Sequence, residues 1–153
     1  MEYYNKIAKS YNELYKEEQL EKVKIILKYI KPKGKLLDIG AGTGISTKPF
    51  KKYCNCTALD PSKELLKQYK GKKIVGKAEK LPFPDNNFDI IISVTALHHT
   101  NIKKALSEIK RVAKPNAQIA ITILKKSKAA KNLNLFKDFK KINSKKDWIF
   151  IKS

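Results

Sequence analysis

Three groups of residues in this 153-residue chain have the types and spacing to do chemistry. The first is the loop Gly40-Ala41-Gly42-Thr43-Gly44, which directly follows the apolar run Leu36-Leu37-Asp38-Ile39. Glycines after a buried strand let the backbone approach a ligand closely, and in an open parallel sheet ligands settle at the carboxyl end of the first strand, where strand order reverses. Asp60 lies 16 residues beyond Gly44, at the end of a second apolar run, and is placed to accept hydrogen bonds from two ribose hydroxyls. Loop and acid together point to a nucleoside-containing cofactor. A dinucleotide fingerprint starting at Gly40 needs glycine at position 45, which is Ile45, so the loop reads G-x-G-x-G.

The second group is His98 and His99, the only histidines. They follow a strand-like run and titrate near neutrality, which makes them the candidates for a general base if a reaction needs one. The alternative is that they orient a substrate or shape a pocket. The third group is Cys54 and Cys56, two residues apart in YCNCTAL. On a strand both thiols point to one face, and with no further cysteine and no nearby histidine they read as buried structural thiols. No metal site is expected.

These residues are positioned by alternating elements. Tyr3, Ile7, Tyr11, Leu14, Leu20, Val23, Leu27 and Ile30 recur at helical spacing, which predicts one bent helix or two over residues 2–30. Pro32 and Gly34 end it. A strand at 35–39 leads into the glycine loop and a helix to about residue 53, shortened or kinked by Pro49. There follow a strand at 54–59, a helix at 62–69 capped by Ser62, and strands at 73–75 and 88–93. A helix at 102–112 and a strand at 118–124 complete the alternation. Near-continuous apolar strands such as Ile90-Ile91-Ile92 imply a parallel sheet covered on both faces. Lys114 to Ala117 reads as the turn before the last parallel strand, with Asn116 able to turn left-handed. Leu135, Phe139 and Ile142 form a helical stripe, and Trp148 to Ile151 a final strand.

The charge is lopsided: 34 Lys+Arg, of which only Arg111 is arginine, oppose 14 Asp+Glu for a formal net charge of +20. Ion-pair networks of the thermophile kind need matching carboxylates, which are too few here. The segment 1–30 carries +1, 31–124 carries +11 and 125–153 carries +8. At this length one domain is expected, 1–153, with a core too small for two catalytic domains. No apolar run is long enough for a membrane span and the N-terminus lacks a secretory signal, so a cytoplasmic protein is expected.

The motifs resemble those of the class I S-adenosylmethionine-dependent methyltransferases, of the broad group that includes the ubiquinone and menaquinone biosynthesis C-methyltransferases. LLDIGAGTG is similar to the family's first motif and TALDPS to its second. GKAEKLPFPDNNFDIIIS resembles the loop and fourth strand, and ALHHTNIKKALSEIKRVAKP the segment beyond. The resemblance covers about 34–124, the cofactor-binding core; YYNKIAKSYNELY resembles the N-terminal lid helices, within 1–30, and 125–153 is left as a basic C-terminal helix and strand.

The resemblance implies an α/β, Rossmann-like, doubly wound and mostly parallel sheet with helices on both faces and an antiparallel C-terminal strand. It implies that Asp38, Gly40, Ala41, Gly42 and Gly44 surround the methionine part of S-adenosyl-L-methionine. Asp60 would hold the ribose, Pro61 would lie beside the adenine, Ala78 and Glu79 would line its pocket, Ser93 would sit near the amino-acid end, and Tyr11 would be a lid contact. Read on their own, Asp38 could instead cap a backbone turn and Glu79 be a solvated loop charge. Lys77 stands where many relatives carry an acid. The Asn/Asp-Pro-Pro-Tyr motif of exocyclic-amine methyltransferases is absent at Ser93-Val94-Thr95-Ala96.

The expected activity is methyl transfer from this cofactor. RNA is the favoured acceptor on charge, gripped by a surface that includes Lys125, Lys126, Lys128, Lys131, Lys137, Lys140 and Lys141. A small-molecule or lipid-precursor acceptor is the alternative, with an open pocket or one completed by a partner protein. A further alternative is a cofactor-binding, non-catalytic partner subunit.

Overall fold

A computed structural model of the chain describes residues 2–153, with side chains described from Asn12 onward. Seven strands form one sheet: β1 (Lys35–Ile39), β2 (Asn55–Asp60), β3 (Lys72–Val75), β4 (Phe88–Val94), β5 (Ala113–Leu124), β6 (Lys140–Asn143) and β7 (Asp147–Lys152). Their order is β3-β2-β1-β4-β5-β7-β6. β1 to β5 pair in parallel, and β7 runs antiparallel to β5 and to β6. Strand order reverses between β1 and β4, and that is where a doubly wound sheet opens its crevice. The expected sheet class is the observed one.

Alternation along the buried strands sends odd and even positions to opposite faces. On one face Leu37, Ile39, Ile91, Ile119 and Ile121 pack under α3 (Ile102–Val112). Its buried residues Ile102, Ala105, Leu106, Ile109 and Val112 fall at helical spacing. Asn101 caps it, the side-chain oxygen accepting the Lys104 N–H at 3.2 Å. On the other face Leu36, Ile90, Ile92 and Ala120 meet Val23 and Ile26 of α1, which runs unbroken from Glu2 to Ile26.

Several expectations are corrected. The glycine loop leads only to a 3₁₀ turn, Lys48–Phe50, with Pro49 in its first turn. α2 spans Lys63–Leu66, shorter than 62–69, although Ser62 caps it as expected by accepting the Leu65 N–H. Residues 114–117 are no separate turn. They bulge within β5 between the pairs Phe88↔Ala113 and Ile90↔Gln118, because Pro115 has no N–H for the ladder. Asn116 is not among the residues with positive φ. Finally, Leu135, Phe139 and Ile142 share no helix. A 3₁₀ segment, Lys128–Phe136, kinks at Asn132, and Ile142 lies in β6 opposite Ile149. The open edge of β7 offers unpaired backbone groups, and this pairing outweighs the local helical period.

Arg111, on α3, holds the long loop between β3 and β4. Its guanidinium donates to the carbonyls of Leu81 and Phe83, to Asp85 and to Glu108, at 2.7–3.2 Å. Glu108 in turn accepts the Leu81 N–H at 2.9 Å. A lysine cannot reproduce this fork of donors. Arg111→Ala is expected to lower stability by about 2 kcal/mol and Arg111→Lys by about half of that, read from urea midpoints at constant slope.

Candidate active site

The glycine loop is pinned at the end of β2. The N–H groups of Gly40 and Ala41 both donate to the Leu59 carbonyl, at 2.8 and 3.0 Å. The Gly42 N–H donates to one carboxylate oxygen of Asp60 at 2.9 Å, and the Ser62 N–H to the other at 2.8 Å. Gly40 has φ +73°, and a Cβ there would collide with the methyl of Ala96, so the first glycine packs directly on the turn after β4. Gly42, with φ +57°, has nothing nearer to such a Cβ than Leu65 at 3.9 Å. The loop is therefore closed against protein at Gly40 and roomy at Gly42, where its backbone can receive a ligand.

Asp38 lies beneath the loop and is fully buried. One oxygen accepts the hydroxyls of Ser46 and Thr47 at 2.6 and 2.7 Å; the other is buried with no hydrogen-bond partner. Burial pushes its carboxyl up to about 7, against the pull of those two hydroxyls, and Asp60 adds to the rise. An orphaned carboxylate oxygen under a glycine loop fits the cationic amino-acid end of S-adenosylmethionine. Asp60 fits the ribose: a carboxylate offers about four acceptor positions, and its two N–H contacts leave room for more.

The remaining candidates divide. Ser93 is buried, and its hydroxyl donates to the Ile39 carbonyl at 2.9 Å, tying β4 to β1 at the crevice. Ala78 packs in the core with Leu59 and Leu81. Glu79 accepts the Asn101 N–H at 3.3 Å, so this carboxylate links the loop after β3 to the start of α3. Ala41 packs with Ala58, Leu66 and Tyr69, and Pro61 is exposed. The lid contact assigned to Tyr11 lies outside the described residues. Cys54 and Cys56 are free thiols packed on the α1 face, and burial pushes Cys56 up to about 12. Among the described residues no cluster of three or more His, Cys, Asp or Glu could hold a metal.

His98 and His99 form a 3₁₀ turn with Leu97 just beyond β4. Their rings lie 3.9 Å apart. Nδ1 of His98 is buried without a partner, and burial, with the neighbouring His99, lowers its pKa. The pair borders a cleft of roughly 680 Å³ that also takes in Asn101, Lys103, Lys128, Lys131, Asn132 and Asn134. No carboxylate is among its lining residues. Of the lysines assigned to a basic surface, Lys126, Lys128, Lys131, Lys137, Lys140 and Lys141 are exposed. Lys125 and Lys141 lie over the Trp148 ring at 4.7 and 3.9 Å from its centroid.

Sequence reasoning missed Lys22, Thr95 and Asp147, which meet at the same edge of the sheet: Lys22 pairs with Asp147 at 3.0 Å and donates to the Thr95 hydroxyl at 2.7 Å. Nothing in their spacing announces the contact, because 73 residues separate Lys22 from Thr95 and a further 52 separate Thr95 from Asp147.

The family model for the methyltransferase domain matches residues 37–121. The chain belongs to the class I S-adenosylmethionine-dependent methyltransferases. An uncharacterized protein of Methanocaldococcus jannaschii, MJ1252, is 43% identical over 129 residues, 80% of this chain and 50% of that protein. The ubiquinone/menaquinone biosynthesis C-methyltransferase UbiE of Burkholderia mallei is 36% identical over 106 residues, 60% of this chain and 44% of that enzyme. The crystal structure of YcgJ from Bacillus subtilis superposes with a TM-score of 0.63 at 30% identity, covering 68% of this chain and 50% of the other. The Pyrococcus horikoshii protein PH0226 shares the fold, with a TM-score of 0.73 at 18% identity over 88% and 89% of the two chains. The chain spans about half the length of the curated relatives it matches. S-adenosyl-L-methionine is the cofactor of this family, and among the described residues of this chain no helix is long and apolar enough to cross a membrane.

Because its folded-state pKa is raised, Asp38 holds a proton in the native protein that the unfolded chain has already released between about pH 4 and 7. Its contribution to stability is full below the unfolded carboxylate value and is lost as pH rises through about 7. In the absence of cofactor, Asp38→Asn should therefore gain stability relative to the parent by about 2 kcal/mol between about pH 5 and pH 8, measured by urea denaturation. A constant difference across that range contradicts the assignment.

Proposed function

We propose that this methyltransferase acts on RNA, with the cleft at His98 and His99 as the acceptor entrance. The observation that carries this reading is the lining of the cleft: three lysines, three asparagines and no carboxylate. Its lysines and asparagines suit phosphate oxygens and base edges, and the apolar Ile102, Ala129 and Leu135 that complete the lining suit the flat face of a base. The exposed lysines of the segment after β5 extend the same positive field, which favours a polyanion through counterion release.

S-adenosylmethionine supplies an already activated methyl group when bound, so the protein's task is to align the acceptor and exclude water. Asp60 receives ribose hydroxyls on the acceptor positions its N–H contacts leave free, and the unpartnered oxygen of Asp38 holds the cationic end of the amino acid. Burial, with the neighbouring His99, lowers the pKa of His98, and this imidazole is the group assigned to take the proton that the acceptor atom loses on methylation.

A second reading, a small-molecule acceptor, is favoured by one observation: the 36% identity to UbiE enzymes named for ubiquinone and menaquinone biosynthesis. Labelled methyl transfer into total RNA and into a small-molecule extract of the source cells separates the two. Label in RNA is the expected result, and label confined to the extract overturns the RNA reading in favour of the second.

Four variants refine the assignment. Asp60→Ala should abolish or severely weaken calorimetric binding of S-adenosylhomocysteine. His98→Gln should lower turnover by about 10²-fold with cofactor affinity unchanged. Lys103→Ala and Lys131→Ala should each weaken RNA binding and reduce the salt slope by about one; an unchanged slope would remove both residues from the interface.

A further inference from the structure

Between the glycine loop and the cleft lies a buried polar cluster that neither of them uses. Lys22 is the one lysine buried among the described residues, at 8% exposure, and its partner Asp147 is fully buried. The Lys22 ammonium meets Asp147 at 3.0 Å and donates to the Thr95 hydroxyl at 2.7 Å and to the Gln19 side-chain oxygen at 3.0 Å. Thr95 donates its hydroxyl to the second Asp147 oxygen at 3.0 Å, and its N–H to the Thr122 hydroxyl at 2.8 Å. Gln19 also reaches the Val94 carbonyl at 3.3 Å. The cluster joins α1, the end of β4, β5 and the start of β7 at the carboxyl edge of the parallel strands.

Two features show that more than stability is involved. A buried ion pair is commonly no better for stability than a well-packed apolar pair of the same size. Thr95 has φ +53°, a conformation that a β-branched residue adopts only when its surroundings impose it. The next residue is Ala96, whose methyl lies against Gly40, and the turn bearing His98 follows at once. The strained residue thus sits where the chain must pass from the cofactor loop to the acceptor cleft.

We propose that Lys22, Thr95 and Asp147 are positioning residues that lock the turn after β4, holding Ala96 on the glycine loop and His98 at the cleft while seating α1 over both. The inference rests on the cofactor chemistry of the family and is independent of which acceptor is used.

The test compares Thr95→Val, which removes the hydroxyl and keeps the branched shape, with Thr95→Ser, which keeps the hydroxyl, and with the double variant Lys22→Met/Asp147→Asn, which leaves no unpaired buried charge. The readouts are amide hydrogen exchange over residues 95–100 and calorimetric affinity for S-adenosylhomocysteine. Thr95→Val and the double variant should exchange about tenfold faster there and bind about fivefold more weakly, while Thr95→Ser stays within about twofold of the parent. Folded Thr95→Val with parental exchange and affinity overturns the proposal. So does an equal loss in Thr95→Ser and Thr95→Val, which would show that any change of side chain at this strained position loosens the turn and that the hydroxyl has no special part in it. If Thr95→Val does not fold, the double variant decides by the same two readouts. A parent protein that binds no S-adenosylhomocysteine would instead count against the cofactor site itself.

Discussion

One carbonyl oxygen, that of Leu59 at the end of β2, receives two successive amides of the glycine loop, and the carboxylate of the next residue, Asp60, receives a third. The carboxyl edge of the sheet is built outward from that anchor. It fixes Gly40 close enough to β4 that only a hydrogen fits between its Cα and Ala96, and it turns the open side of the loop, at Gly42, toward the crevice. It also closes Asp38 off from water beneath the loop. A backbone contact between two parallel strands thereby sets the carboxylates of Asp38 and Asp60 beneath and beside the glycine loop.

The scarcity of carboxylates takes on a different meaning once they are located. Asp38, Asp60 and Asp147 are buried at the carboxyl edge, and Glu108 and Asp89 accept backbone N–H groups that hold loops. These five acids serve the architecture and the site, while others such as Glu64 and Asp138 are exposed. The lysines, with the exception of Lys22, remain at or near the surface among the described residues, so the positive field is left largely unneutralised outside the protein's interior. That division explains how a chain of net charge +20 can carry a compact apolar sheet: repulsion is spread over exposed, solvated ammonium groups, while the interior holds one paired cation.

Much of this was legible in the chain itself. β1, β2 and β4 follow from continuous apolar runs, and α3 from the helical segment at 102–112 that alternates with them. The glycine loop and Asp60 were identifiable because both lie at strand ends, where the period of the strand stops and the residue type changes. The segment after β5 was misread because Leu135, Phe139 and Ile142 satisfy a helical period that the free edge of β7 overrides. The bulge at Pro115 looked like a turn because a missing N–H reads the same in either setting.

The parallel strands, the glycine loop and the excess of positive charge follow from the chain alone, because each is encoded in neighbours along it: apolar periods, glycines at a strand end, residue counts. Only the tertiary structure decided what those neighbours face. It left one oxygen of Asp38 without a partner, engaged Glu79 with the start of α3, lined a cleft with lysine and asparagine from two distant segments, and brought Lys22, Thr95 and Asp147 into one buried cluster. Contacts between residues about 20 to 130 positions apart depend on how whole elements pack, and no local pattern of residue types carries that information.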